Sequence, residues 1–292
     1  MSLGQSNYFE ILKAPPQLLL EDLGRPGFSC IGVSPSGACD LASFRLANRL
    51  VGNPPHLAGL EILYGPCEIQ FHRSAIIAVT GATQELTISG RPRSSNCPNL
   101  VGPGEKVSLA IPEFGLRSYL AVKGGIYGDV YLGSSSSDTL SGIGPAPLLE
   151  GDRVAIKTTD LGAELSFEVA TTNRLSNHFE LSGWLGPRSR NFTQRSISNL
   201  THAVLRATKD ASRIGVRLAG AELIANPQRR VEPEGILRGF LQVPPSGEIV
   251  VFLADHPTTG GYPIIGALDE HSIDLASQIR PGDSASLKLK EN

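Results

Sequence analysis

The stretch Ala254 to Leu268, ADHPTTGGYPIIGAL, gathers an acid, an imidazole, two threonines, two consecutive glycines and a tyrosine between two apolar runs. Asp255 is of a type to position or accept a proton. Thr258, Thr259 and Tyr262 bring hydroxyls that donate or accept, and Gly260 and Gly261 let the backbone come close to a ligand. The preceding run Glu248 to Leu253, EIVVFL, follows the turn signal PPSG and has the length and β-branched content of a buried strand, so the polar cluster begins where a strand ends. Upstream, DASRIGVRL supplies Arg213 and Arg217, whose guanidinium forks suit a carboxylate or a phosphate. Together with Glu234, Gln242, Asp255 and His256 they are candidates to line the same strand ends. Gln242 lies between Leu241 and Val243, so a strand pleat turns its amide to the face opposite both.

A second group stands earlier, where GRPG and SPSGACD place Arg25, Ser34, Ser36 and Asp40 on tight turns ahead of an apolar-periodic stretch. A helix N-terminus there suits an anion, and plain turn chemistry with an N-cap at Asp40 is the competing reading. Other chemistries lack their signatures. There is no glycine-rich loop followed by Lys-Ser/Thr and no G-x-S-x-G elbow. His56, His72, His178, His202, His256 and His271 are scattered with no H-x-x-x-H pair, so no metal site is expected. The run GSSSSD at Gly133 to Asp138 reads most simply as a flexible loop, with phosphate cradling as the alternative. The cysteines, Cys30, Cys39, Cys67 and Cys97, have no zinc-knuckle spacing and are expected as free, buried thiols.

The elements that must position these residues are short and rich in Val, Ile and Leu: CEIQF, SAIIAVTGA, KVSLAI, RSYLAVKGGI, DRVAIK, HAVLRAT, GFLQV and EIVVFLAD. Gly, Pro, Asn and Asp clusters separate them, the pattern of a mainly β chain of antiparallel sheets or barrels. Helices are expected over Cys39 to Leu50, around Arg174 to Leu181 and over Ser272 to Ser277. VGPGEKVSLAI, LLEGDRVAIK and IRPGDSASLKL each put a glycine and an acid just before an alternating strand, which predicts a repeated turn at strand entry. At 292 residues two domains are expected, 1–160 and 161–292, with their junction near KTTDLGAELSFEV. A net charge of -2 gives no drive toward nucleic acid or an anionic membrane. The start has no basic region ahead of a long apolar core and no window is long enough to span a bilayer, so a cytoplasmic chain with reduced thiols is expected.

The stretches DLGRPG, SPSGACD, RLANRLVGNPP, LEILYGP, AVTGA, YLAVKGGI, LGSSSSD, SRIGVRL, PEGILRGFLQVPPSGE, ADHPTTGGYP and IRPGD run in order along nearly the whole chain. In that order they resemble the allophanate hydrolase subunit 2 family of carboxyltransferase-domain proteins, related to part of the urea carboxylase carboxyltransferase region. The pattern departs at Pro257, where the family commonly has Gln, and at Glu21, which gives EDLGRPG in place of QDLGRPG. The resemblance implies two cyclophilin-like β-barrel domains with a few short helices, and a partner carboxyltransferase-domain protein of the subunit 1 type, the B component of 5-oxoprolinase. It implies a component of an ATP-dependent 5-oxoprolinase-type hydrolase acting on a small lactam or amide, with ATP bound in the complex and a LamB-type A component as a further partner. On that reading Asp255 and Arg213 are catalytic. Arg25, Ser36, Asp40, Glu234, Gln242, His256, Thr258, Thr259, Gly260, Gly261 and Tyr262 bind substrate or cofactor. Carboxyl transfer from biotin carried by another protein, or KipA-type regulatory binding without turnover, are the alternatives. The single methionine, Met1, has no lysine beside it, so biotin attached to this chain is not expected.

Overall fold

The computed structural model describes residues 7–82, 85–157, 169–171, 175–223 and 232–291. Strand dominates, as the short β-branched runs demand. The chain divides into two compact units, and the division is not sequential. The first gathers Met1–Arg25, Asp40–Ser137 and Gly142–Leu175, the second Pro26–Cys39, Asp138–Ser141 and Ser176–Asn292. The junction expected between residues 160 and 161 lies outside the described residues. No helix among the described residues is long and apolar enough to cross a membrane.

In the first unit a six-stranded sheet runs in the order Arg153–Ala155, Tyr8–Lys13, Cys67–Phe71, Lys106–Leu109, Leu86–Ile88, Arg91–Arg93. A five-stranded sheet runs Gln17–Glu21, Gly59–Leu63, Arg117–Val122, Ala75–Gly81, Pro98–Val101. Inward residues of both, Phe9, Ile69 and Phe71 from one and Leu60, Val79 and Leu120 from the other, form one core. The strands Ala75–Gly81 and Arg117–Val122 are buried on both faces because helix α1, Leu41–Leu50, lies over their outer side. Asp40 caps α1, accepting from the Ser43 amide at 2.9 Å and the Ser43 hydroxyl at 2.7 Å. The serine run is not a flexible loop. Ser134 to Ser137 are buried, and the Asp22 carboxylate accepts from the hydroxyls of Ser134 and Ser136 at 2.6 Å each and from the Ser135 amide at 2.7 Å. An acid far away in sequence organises them.

The second unit closes into a seven-stranded barrel in the order His178–Leu185, Ile264–Leu268, Phe240–Gln242, Ile249–Phe252, Gly215–Ala219, Leu205–Ala211, Ser284–Lys290. The last strand returns to the first as a parallel pair, from His178↔Ser284 to Trp184↔Lys290. The helix expected around Arg174 to Leu181 is therefore a strand from His178 onward, with Phe179 and Leu181 buried and Glu180 exposed; Arg174 lies outside the described residues. Burial with a period of two overrides the short helical spacing. Helix α2, Gln194–His202, is not among the expected helices, because its buried side rests on only two apolar residues, Ile197 and Leu200, while α3, Glu270–Ala276, falls close to the expected Ser272 to Ser277. Both are capped at their first turn, by Thr193 and by Asp269.

The three repeated entries are one device. In each a glycine sits at positive φ, Gly104 at 79°, Gly151 at 90° and Gly282 at 90°, and the following acid clasps the turn. The carboxylates of Glu105, Asp152 and Asp283 accept from the amides three residues upstream, of Gly102 at 2.7 Å, Leu149 at 2.7 Å and Arg280 at 2.9 Å. The spacing of glycine and acid follows from that hydrogen bond. All four cysteines are free; Cys39 and Cys67 are buried as expected, whereas Cys30, on the 3₁₀ turn Ser29–Ile31, is exposed and Cys97 is half-buried.

Candidate functional site

The second unit brings Asp255, Arg213 and Ser36 together. Asp255 follows the strand Ile249–Phe252, and its amide donates to the Arg213 carbonyl at 3.0 Å, which sets the two side chains beside each other. Arg213 Nε donates to Asp255 Oδ2 at 2.9 Å and Nη2 to Oδ1 at 3.0 Å, a two-pronged pair whose members are 1% and 0% exposed. Ser36 Oγ donates to Oδ1 at 2.7 Å, and Thr139 donates to Oδ2 from its amide at 2.8 Å and its hydroxyl at 2.7 Å. The carboxylate thus accepts five hydrogen bonds. Burial pushes the Asp255 carboxyl up, but the Arg213 charge and these hydrogen bonds outweigh it and hold the group below the usual carboxylate range. Arg213 Nη2 also donates to the Gly37 carbonyl at 2.7 Å, so the pair fastens the segments Pro26–Cys39 and Asp138–Ser141 to the barrel. Thr139 carries no signal in the sequence beyond following a serine run. Its role emerges only from the tertiary pairing.

His256 is buried, and its Nδ1 lies 2.9 Å from the Pro257 carbonyl. A carbonyl only accepts, so Nδ1 carries the proton and the neutral ring keeps its lone pair on Nε2. Burial lowers its pKa below that of an ordinary imidazole, in spite of the Pro257 carbonyl and the Asp255 charge. Pro257, the departure from the family pattern, therefore still serves through its carbonyl.

A groove of about 730 Å³ opens on the outer face of the barrel. Gln242, Val250, Phe252 and Arg217 line it, with Ser212 and Ile214 on one side and Pro257, Tyr262 and Leu140 on another. Ser212 and Ile214 flank Arg213, Leu140 follows Thr139, and Pro257 lies two residues past Asp255. The buried pair thus fixes the backbone of three stretches that wall the groove. Thr259–Gly260 pairs with Glu234–Gly235 in a two-stranded ribbon, and Arg188 meets Glu234 at 3.4 Å. A Cβ on Gly260 would stand 2.7 Å from Gln242 Nε2, so this glycine makes room for the amide, while Thr259, Gly261 and Tyr262 are exposed. Arg25 and Asp40 belong to the first unit, where Arg25 donates to the Tyr131 and Ser136 carbonyls and Asp40 caps α1. Among the described residues no cluster of three His, Cys, Asp or Glu side chains is placed to hold a metal ion.

A family model described as carboxyltransferase domain, subdomain A and B, matches residues 31–289. The C subunit of the Escherichia coli 5-oxoprolinase is 32% identical over 276 residues, spanning 94% of this chain and 88% of that protein. The urea amidolyase of Saccharomyces cerevisiae is 30% identical over 285 residues, but these make up 15% of its length. The crystal structure of the Kluyveromyces lactis urea amidolyase superposes with a TM-score of 0.90 at 27% identity, covering 97% of this chain and 19% of that one. The part of that urea amidolyase that superposes has the fold of this chain.

Proposed function

The chain belongs to the family of carboxyltransferase domains, subdomain A and B, and from that membership we propose that it is the C-type component of an ATP-dependent 5-oxoprolinase complex, opening a small lactam. The observation that carries this reading is the match to the bacterial C subunit over nearly the whole of both chains, where the urea amidolyase relatives are matched over a small part of their length. The site chemistry supports it. In this reading Asp255 and Arg213 are positioning residues: the carboxylate's hydrogen bonds come from the protein itself, and the guanidinium is spent on Asp255 and Gly37. His256, the neighbour of the groove-lining Pro257, is the candidate proton acceptor: its Nδ1 faces the Pro257 carbonyl, which leaves the lone pair on Nε2, and no described residue donates to that nitrogen. The groove is not assigned to ATP: Arg217 is the one guanidinium in its lining among the described residues, and the sequence has no phosphate-cradling loop with a following lysine. ATP is assigned to a partner protein, and no step on this chain passes through it. The subunit 1 protein, or B component, and the LamB-type A component are the partners, and the complex is cytoplasmic.

The test is ATP-dependent release of glutamate from 5-oxoproline by this chain purified with those two partners. Turnover that disappears when the chain is omitted supports the reading, and an assembled complex without turnover overturns it. The superposition on a urea amidolyase favours carboxyl transfer from carboxybiotin to urea as the second reading, to be assayed on the same preparation.

A further inference from the structure

The row Ile264, Gln242, Val250, Arg217 crosses four neighbouring barrel strands in register. The adjacent row, Leu241, Val251 and Val216, is fully buried in the barrel interior, so alternation along each strand turns the first row outward, where Gln242, Val250 and Arg217 line the groove and Ile264 joins the apolar cluster of Val250 and Phe252. Gln242 and Arg217 stand two strands apart, roughly 10 Å between their backbones at the usual strand spacing. Between and beside them Val250 and Phe252 make an apolar floor, and Gly215, paired with Phe252, adds no side chain to it.

The two polar ends differ in kind. Gln242 is 6% exposed, and its Nε2 donates to the Tyr262 carbonyl at 3.3 Å. That bond fixes which end of the amide is nitrogen, and Oε1 accepts no hydrogen bond from the described residues. Among the described residues Arg217 is held by Glu248 alone, at 3.4 Å, with the two side chains 40% and 31% exposed. An ion pair so exposed is weak and easily exchanged for another anion.

We propose that this groove binds a small cyclic amide that carries a carboxylate: Gln242 Oε1 accepts the ring N–H, the ring lies on Val250 and Phe252, and the Arg217 fork takes the carboxylate. An amide oxygen in the groove lining with no partner among the described residues is available to a donor, and a ring N–H that takes it replaces water for an ordinary hydrogen bond's net worth. A guanidinium at the far end of an apolar floor selects an anion over a neutral amide such as urea. The assignment rests on the 5-oxoprolinase reading and names the residues that would choose its substrate.

Equilibrium binding to the full chain tests it, with 5-oxoproline, 2-pyrrolidinone and urea as probes. 5-Oxoproline is expected to bind more tightly than either neutral probe. Arg217→Gln should weaken 5-oxoproline by about 10- to 100-fold, the loss of one charge-assisted contact, and leave 2-pyrrolidinone unmoved. Gln242→Leu should weaken both lactams. Arg217 is part-exposed, so its variant keeps the fold, and the thermal melt of each variant verifies this. Failure of 5-oxoproline to bind the native chain, or equal binding by Arg217→Gln, overturns the assignment. If the assembled complex shows no turnover while this binding pattern holds, the enzymatic reading falls and the groove stands. Turnover with an unchanged KM in Arg217→Gln means the reverse.

Discussion

A carboxylate and a guanidinium that are both sealed from water are costly to separate, because the survivor is left as a buried, unpaired charge. Asp255→Asn is therefore expected to lower stability by about 3–5 kcal/mol in urea denaturation. Arg213→Met combined with Asp255→Leu should recover part of that loss. The pH dependence has a definite sign. Asp255 is held below its unfolded value, so its contribution is present above about pH 4 and fades as pH falls toward the folded pKa. His256 acts on a higher window: the unfolded ring takes a proton near pH 6.5, about its free value, while the folded ring resists it. Stability should thus decline as pH falls below about 6.5, and His256→Leu should flatten that limb in denaturation curves across about pH 5 to 8. The thiols offer a second contrast. Burial, and next the Glu68 charge, push the Cys67 thiol up to about 12, so a thiol reagent at neutral pH should label Cys30 first and leave Cys67 until the protein unfolds.

At the scale of elements, the clasped turns are separable and testable. Asp283→Ala removes the carboxylate that accepts from the Arg280 amide and should cost about 0.5–1.5 kcal/mol in denaturant midpoints, an ordinary hydrogen bond's net worth. Gly282→Ala adds backbone strain at φ 90° and should also destabilise. These turns were legible in the sequence, as were the β class, α1 with its Asp40 cap and the strand end at Asp255. Each is encoded by residues within a few positions of one another. The strand His178–Leu185 misleads because its first residues also match a helical spacing, and only its pairing with Ser284–Lys290 and Ile264–Leu268 decides the matter. The serine run misleads for the same reason, since Asp22 is more than a hundred positions away. The grouping of Asp255 with Ser36 and Thr139 depends on separations of 219 and 116 residues and has no local sign. Gln242 is legible because a pleat is local; its groove is not, because the floor comes from neighbouring strands.

At the scale of the whole molecule, the second unit is assembled from three stretches of chain, two of which precede the whole of its barrel. Dividing the chain at the junction that composition suggests would leave the barrel without Ser36, Gly37 and Thr139. A fragment spanning 176–292 is expected to lack a cooperative thermal transition, and adding a peptide covering 26–39 should not restore it without residues 138–141 as well. A cooperative melt from that fragment alone would show that the borrowed segments are ornaments on a self-sufficient barrel. The closing strand has a further consequence. Its partner in the parallel pair, His178–Leu185, opens the barrel strand series, and Ser284–Lys290 ends it. On a ribosome the nascent chain thus exposes six strands with two open edges until residues 284–290 clear the exit tunnel, and a chaperone that shields edges has its work concentrated in that interval.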